Sequence, residues 1–241
     1  MGRLLLVGNS RWHWGRRLPQ GLTCWHEPGP EAAAALLASP SQLPSDLEAW
    51  ACVGHLPAEV PLPPERRVAL AQVPLRDLPP WLGVDRALVG WRAWCRQGHQ
   101  PVLVADAGTC LSLTRIDGRG HFRGGRLSAG LALQLRSLGL ATAQLPALHP
   151  GDVPELDPWP LATAAAMEQG CLQACAAAVV QAVADLQPEH GADQGWRLWL
   201  TGGDAGRLAP LLRQQGLEPQ LAPNLALEAL EALAAAPPEL S

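Results

Sequence analysis

The stretch Pro101-Val-Leu-Val-Ala-Asp-Ala-Gly-Thr-Cys-Leu-Ser-Leu-Thr-Arg-Ile116 decides the reading of the fold. Pro101–Ala105 is a run of β-formers, Asp106-Ala107-Gly108-Thr109 is a tight polar turn, and Cys110–Ile116 is a second strand. Asp117-Gly118-Arg119-Gly120 then reads as a hairpin turn, His121–Leu127 as a third strand, and a helix starts near Ala129. The chain opens in the same order. Arg3–Ser10 is a buried strand that breaks into Gly8-Asn9-Ser10, Arg11–Trp14 continues with alternating faces, and Leu22–His26 is a third strand. Gly8 and Gly108 hold equivalent places, each closely followed by a hydroxyl-bearing residue. A strand–turn–strand unit written twice in one chain points to an internally duplicated α/β protein.

Working outward, Glu31–Ala38 reads as a short Ala-rich helix and 40–44 as a loop. Asp46–Ala49 reads as the start of a helical turn, and Ala51–His55 and Val68–Val73 as short strands. Residues 57–80 are rich in proline and read as extended or loop. A helix over Val84–Arg96 carries Leu88, Trp91, Trp94 and Cys95 at helical spacing, a packing face rather than a cofactor box. Further helices are expected at Leu161–Leu186, Ala205–Gln214 and Leu225–Ala235, with strands at Trp196–Leu200 and Pro219–Leu221. The halves divide near Gly98–Gln100, giving domains 1–99 and 100–241 with a cleft between them.

Composition narrows the chemistry. With 241 residues, 48% of them hydrophobic and 17% charged, the chain can bury a sizeable core. A formal net charge of −4 gives no basic surface for nucleic acid. The 18 basic residues are all arginine. Without lysine there is no P-loop lysine, no pyridoxal Schiff base and no lysine aldolase. Tyrosine is also absent. The apolar run Leu4–Val7 is too short for a signal peptide or a membrane span. The six cysteines are scattered, and Cys171 and Cys175, one helical turn apart, have no further ligands at zinc spacing. They read as reduced thiols of a cytoplasmic protein.

Glycine-containing turns between strands point backbone N–H groups outward and bind phosphate oxygens without lysine. Gly8-Asn9-Ser10 and Gly108-Thr109 both fit, as does Thr201-Gly202-Gly203 after a strand. Asp106 adds a carboxylate that could hold a cation beside the phosphates. Ordinary hairpin turns would read the same way. Gly83-Val84-Asp85-Arg86 opens a helix after Pro79-Pro80. Asp85 is either a carboxylate favoured by the helix dipole or a general base beside a cationic anchor.

Taken in order, these pieces resemble a type III pantothenate kinase, of the acetate/sugar kinase, Hsc70 and actin superfamily. The resemblance is carried by Gly8-Asn9-Ser10, Gly83-Val84-Asp85-Arg86, Asp106-Ala107-Gly108-Thr109, Gly124 through Leu131, Thr142 through Pro146, Thr163 with Gly170, and Thr201-Gly202-Gly203. It implies two duplicated ribonuclease H-like (actin-like ATPase) domains and ATP-dependent phosphorylation of pantothenate, the first step toward coenzyme A. Asp85 matches the proton acceptor, Gly83, Val84 and Arg86 the pantothenate-binding stretch, and Thr163 another pantothenate contact. Asp106 matches the site of a monovalent cation, K⁺ or NH₄⁺. Thr109 matches an ATP contact, Gly8, Asn9, Ser10 and Arg11 fall in the phosphate loop, and Gly202 and Gly203 in the nucleoside-side turn. A homodimer with the substrate pocket at its interface is implied, together with Mg²⁺ carried by ATP.

Three positions depart from the family pattern. Leu6 stands where the family has an aspartate that helps organise Mg²⁺, Arg76 is the nearest match to a tyrosine before the Gly83 motif, and Ala129 replaces a proline. With Leu6, Mg²⁺ would ride on the phosphates through waters, steadied by Asp106. Arg76 could pair with the pantothenate carboxylate. Leu6 also raises the alternative of a non-catalytic family member with a regulatory or accessory binding role. A third reading keeps the kinase and changes its small hydroxylated substrate.

Overall fold

The computed structural model describes residues 2–39, 45–151, 157–186 and 195–235; the loop expected over 40–44 lies outside them. The chain divides into two compact units. Unit 1 comprises residues 1–98, 120–122 and 224–241, and unit 2 comprises 99–119 and 123–223.

Unit 1 is built on a four-stranded sheet of β1 (Arg3–Val7), β2 (Arg11–Leu18), β3 (Gly21–Pro28) and β4 (Leu47–Cys52), in the order β3-β2-β1-β4. β1–β2 and β2–β3 are antiparallel, and β1–β4 is parallel. The apolar run of β1 serves both faces, as a central strand requires. Leu5 and Val7 pack with Trp12, Trp14 and helix α1 (Gly29–Ala38). Leu4 and Leu6 pack with Ala49, Ala51 and two helices, α2 (Val84–Arg96) and α6 (Leu225–Ala235).

Unit 2 repeats the plan with β5 (Val102–Ala107), β6 (Cys110–Ile116), β7 (Phe122–Ala129), β8 (Arg197–Thr201) and β9 (Gln220–Leu221), in the order β7-β6-β5-β8-β9. β5–β6 is antiparallel, whereas β5–β8 and β8–β9 are parallel. Leu103, Ala105, Ala107, Leu111 and Leu113 pack against α3 (Leu131–Ala141), α4 (Thr163–Ala184) and α5 (Ala205–Gln214).

The duplication holds at the level of register. Leu5 pairs with Trp50 and Leu6 with Ala51; Ala105 pairs with Leu200 and Asp106 with Thr201. The Val68 N–H donates to the Trp50 carbonyl at 2.7 Å, as the Ala222 N–H does to the Leu200 carbonyl at 3.0 Å. Leu6 and Asp106 therefore occupy equivalent positions in the two units.

Three expectations differ from the structure. The helical turn at Asp46–Ala49 is instead the start of β4, because Leu47, Ala49 and Ala51 are buried beside β1. The strand at Val68–Val73 reduces to one parallel bridge, Trp50–Arg67, followed by a 3₁₀ turn at Leu70–Gln72. Pro61, Pro63, Pro64 and Pro74 flank it and cannot donate to a ladder. Finally, α6, expected within domain 100–241, belongs to unit 1. There Leu227 and Leu230 join the core, Glu228 pairs with Arg92 and Arg96, and Glu231 pairs with Arg17.

Candidate functional site

In unit 1, the candidate residues gather at the carboxyl end of β1 and β4, the end at which parallel α/β sheets bind ligands. The turn Gly8–Arg11 is closed by the Gly8 N–H donating to the Arg11 carbonyl at 3.0 Å. Asn9, Ser10 and Arg11 are exposed. The turn rests on Gly54, just beyond β4, whose N–H donates to the Val7 carbonyl at 3.1 Å. Neighbouring Val53 lies 3.8 Å from the position a Cβ would take on Gly83. The turn and the start of α2 thus share one end of the unit.

Asp85 lies in the first turn of α2, and its Oδ1 accepts the Arg86 N–H at 2.8 Å. The same oxygen lies 2.5 Å from where Gly83 would carry a Cβ. Gly83 has an ordinary φ of −58°, so the glycine is needed for room rather than for conformation. Burial pushes the Asp85 carboxyl above its ordinary range, opposed by the Arg86 N–H and the Arg86 charge. A half-buried carboxylate with a raised proton affinity suits proton acceptance better than a solvated one.

The Arg86 guanidinium lies over the Phe122 ring, 5.8 Å from its centre. The Phe122 N–H donates to the Arg76 carbonyl at 2.9 Å, and the Arg76 N–H donates to the Gly120 carbonyl at 2.8 Å. Both arginines are thereby anchored on the short segment Gly120–Phe122, with Arg76 exposed.

In unit 2, the matching turn is closed by the Gly108 N–H donating to the Cys110 carbonyl at 3.2 Å, and the Gly130 N–H donates to the Thr109 carbonyl at 3.0 Å. Asp106, near the end of β5, lies against Gly202, where a side chain would overlap Oδ1 and the Ala107 backbone. Gly202 also has φ +90°, a conformation strained for any other residue. Gly203 faces open space. Asp106, Thr109, Gly202 and Gly203 thus cluster at the carboxyl ends of β5 and β8. Thr163 is exposed at the first position of α4, and no hydrogen bond among the described residues ties its side chain to this cluster.

Three residues near these sites were missed in the sequence. Asp204 follows Gly203, donates its N–H to the Ala107 carbonyl at 3.0 Å, and lines a small crevice with Leu111, Gly130 and Cys175. The signal was its place directly after Thr201-Gly202-Gly203. Glu168, fully buried on α4, pairs with Arg207 and accepts the Gly151 N–H at 2.7 Å. His13 pairs with Leu6 across β1 and β2 and so shares its face. Strand alternation alone would have placed it on the same face as Leu6, beside the Gly8–Arg11 turn.

The cation-holding capacity is modest. Among the described residues, no group of three or more His, Cys, Asp or Glu side chains is placed to hold a metal ion. Leu6 is buried among Ala51, Val84 and Leu88 and offers no ligand. Asp106 remains the carboxylate at the turn. Such a donor set suits a hydrated cation that arrives on phosphates, not a protein-caged one.

Comparison with known proteins bears on these features. The family model for type III pantothenate kinase matches residues 65–185. The chain is 34% identical over 249 residues to the type III pantothenate kinase of Synechococcus elongatus, covering 98% of each chain. It is 36% identical over 228 residues to that of Synechococcus sp. strain JA-3-3Ab, covering 93% of this chain and 88% of the relative. Among solved structures, a protein described as a Baf family transcriptional activator from Campylobacter jejuni matches with a TM-score of 0.59 at 16% identity, covering 96% of both chains. One described as a 2-dehydro-3-deoxygalactonokinase from Sinorhizobium meliloti matches at 0.51 and 16%, covering 97% of this chain and 98% of its own. These last two speak to the fold alone, that of duplicated actin-like ATPase and sugar kinase units. Carried by the identity to its curated relatives over nearly its whole length, the chain belongs to the type III pantothenate kinase family.

Proposed function

We propose that this protein transfers the γ-phosphoryl group of ATP to the hydroxyl of pantothenate, making 4'-phosphopantothenate and ADP, the first step of coenzyme A synthesis. The observation that carries the reading is the Asp85 carboxylate. It is half-buried, held by the Arg86 N–H in the gap left by Gly83, at the same end of unit 1 as the Gly8–Arg11 turn. Asp85 accepts the hydroxyl proton while the substrate oxygen bonds to phosphorus and the bond to ADP breaks. Gly83 and Val84 shape the approach to Asp85. Arg86, steadied on Phe122, and exposed Arg76 supply positive charge for the pantothenate carboxylate.

The turns Gly8-Asn9-Ser10-Arg11 and Asp106–Thr109 take the ATP phosphates through backbone N–H groups and Thr109, with Gly202 and Gly203 toward the nucleoside. Mg²⁺ bound with ATP supplies charge neutralisation on the phosphates. A K⁺ or NH₄⁺ ion at Asp106 supplies more. Thr163 serves the substrate pocket of a homodimer. Its exposure supports this, as do the exposed Trp159 and Leu161 just before it and the exposed Leu127 and Leu140 elsewhere in unit 2. All six cysteines are free thiols, in keeping with the reducing cytoplasm. Among the described residues, no helix is long and apolar enough to cross a membrane.

The non-catalytic alternative raised by Leu6 finds no support, since the curated relatives matching nearly the whole chain are named as kinases. The test is coupled ADP release across K⁺ and Mg²⁺ concentrations, with a panel of small hydroxylated acceptors. Pantothenate-dependent ADP release is expected. ADP release driven by another acceptor and not by pantothenate would transfer the reading to that substrate, and none with any acceptor would remove it.

A further inference from the structure

Exposed Arg76 is followed by a residue whose backbone conformation calls for a cause. Asp77 has φ +59°, a left-handed conformation that residues other than glycine adopt at a cost, aspartate being among the more tolerant. Such a conformation persists only where its surroundings hold it, and it gathers at ligand-binding segments. The holding contact comes from His121, whose Nδ1 lies 2.6 Å from the Asp77 Oδ2. A carboxylate only accepts, so the His121 Nδ1–H donates. His121 is also the residue bridged to Arg76 on the backbone. The Arg76 N–H donates to the Gly120 carbonyl at 2.8 Å, and the Phe122 N–H donates to the Arg76 carbonyl at 2.9 Å. Helix α2 underlies this segment. A Cβ on Gly120 would lie 3.0 Å from the Trp94 ring, and the Arg86 guanidinium lies 5.8 Å from the centre of the Phe122 ring. The segment Gly120–Phe122 thus rests on α2, steadies Arg86 and grips Arg76 and Asp77.

We propose that Asp77 and His121 form a latch that positions Arg76 for the substrate carboxylate, so that both are positioning residues for substrate affinity and not for phosphoryl transfer. The proposal rests on the pantothenate reading above. An exposed arginine held by one backbone bridge gives up rotamer freedom when it binds a ligand, and fixing its backbone beforehand lowers that cost. The left-handed turn at Asp77 sets the direction in which the chain leaves Arg76. Pro79 and Pro80, with fixed φ, carry that direction on toward Gly83 and Asp85. Releasing the latch lets the turn relax and shifts Arg76, while Asp85 stays held in the first turn of α2 by the Arg86 N–H. The Asp77 side chain is 64% exposed and that of His121 26%, so the pair lies at the surface and its loss leaves the core of unit 1 intact.

The test measures pantothenate-dependent ADP release by the full chain at saturating Mg²⁺–ATP, with affinity for the non-hydrolysable ADPNP on the same preparations. Arg76→Ala is expected to raise the KM for pantothenate about ten- to a hundredfold, the loss of a charge-assisted contact. His121→Ala is expected to raise it about fivefold, the weight of one ordinary hydrogen bond, with kcat, ADPNP affinity and melting temperature unchanged. Asp77→Asn keeps an acceptor for the imidazole and tolerates positive φ, so its KM should stay near that of wild type. Asp77→Gly adopts the same φ without strain but loses the acceptor, and should match His121→Ala. In an Arg76→Ala background, His121→Ala should add nothing, because the latch acts only through Arg76. An unchanged KM in His121→Ala, a wild-type KM in Asp77→Gly, or a His121 effect that persists in full without Arg76 would overturn the latch alone. Wild-type protein that releases no ADP with pantothenate would overturn the kinase reading and this one with it.

Discussion

The turns Gly8–Arg11 and Gly108–Cys110 sit at the same place in the same topology, yet differ in what stands two residues before the glycine. In unit 2 it is Asp106, a half-buried carboxylate against the Gly202 turn. In unit 1 it is Leu6, buried among Leu4, Ala51, Val84 and Leu88. The duplicated scaffold thus keeps its backbone geometry while the polar chemistry has moved. In unit 1, the carboxylate at this end comes from another element, Asp85 on α2, and the His13 Nε2 lies against Gly8. At the second turn, the carboxylate belongs to the strand itself. Under the proposed function, backbone N–H groups of both turns hold the phosphates, leaving the neighbouring side chains free to differ.

The largest expected effect breaks the comparison on the unit 1 side. Asp85→Asn is expected to lower turnover by about 10²–10⁴ while leaving the fold intact. It carries a second signature in stability. Because burial raises the folded-state value of Asp85, its ionised form is disfavoured in the native protein. The associated stability is present below the ordinary aspartate range and is lost as pH rises through the raised value. Asp85→Asn should therefore melt higher than wild type near neutral pH, with the difference closing in acid. Melting curves from pH 3 to pH 8 check this, and a lower melting point for the variant at pH 7 would make Asp85 a structural cap instead.

Exchanging the two positions sharpens the contrast. Leu6→Asp puts a carboxylate into an apolar cluster and is expected to cost about 3 kcal/mol of stability with no gain in turnover. A large gain would mean that the missing carboxylate limits the enzyme. Asp106→Asn should remove or weaken activation by K⁺, and unchanged K⁺ dependence would take that role from Asp106.

Smaller effects separate neighbouring glycines. Gly202→Ala meets both the Asp106 carboxylate and the positive φ, and should cost about 3 kcal/mol along with nucleotide affinity. Gly203→Ala, facing open space, should stay within about 0.5 kcal/mol. Denaturant unfolding distinguishes the two, and equal losses would show that the turn is sensitive throughout.

Much of this was legible in the sequence, for identifiable reasons. The helices over Val84–Arg96, Ala205–Gln214 and Leu225–Ala235 and the strand Cys110–Ile116 stand where periodicity and turn residues put them. β4 was harder. Leu47–Cys52 lacks strict alternation, and its place beside β1 makes it a strand. The docking of α6 on unit 1 is a tertiary fact: Leu227 and Leu230 enter the unit 1 core while Glu228 and Glu231 meet arginines far away in the chain. For the candidate site, the motifs marked both turns and Asp85 as expectations. The reason for Gly83, the anchoring of Arg86 on Phe122 and the His13–His26 pair emerged only with side chains in place, because each joins residues from different elements or depends on a single close approach.

The most direct measurement is pantothenate-dependent ADP release by wild type and Asp85→Asn, side by side in Mg²⁺ and K⁺, with ADPNP affinity measured on the same preparations. The expected result is pantothenate-dependent turnover in the wild type, a loss of about 10²–10⁴ in the variant, and unchanged nucleotide affinity. Near-normal turnover in Asp85→Asn, or a wild type that releases no ADP with pantothenate, would contradict it.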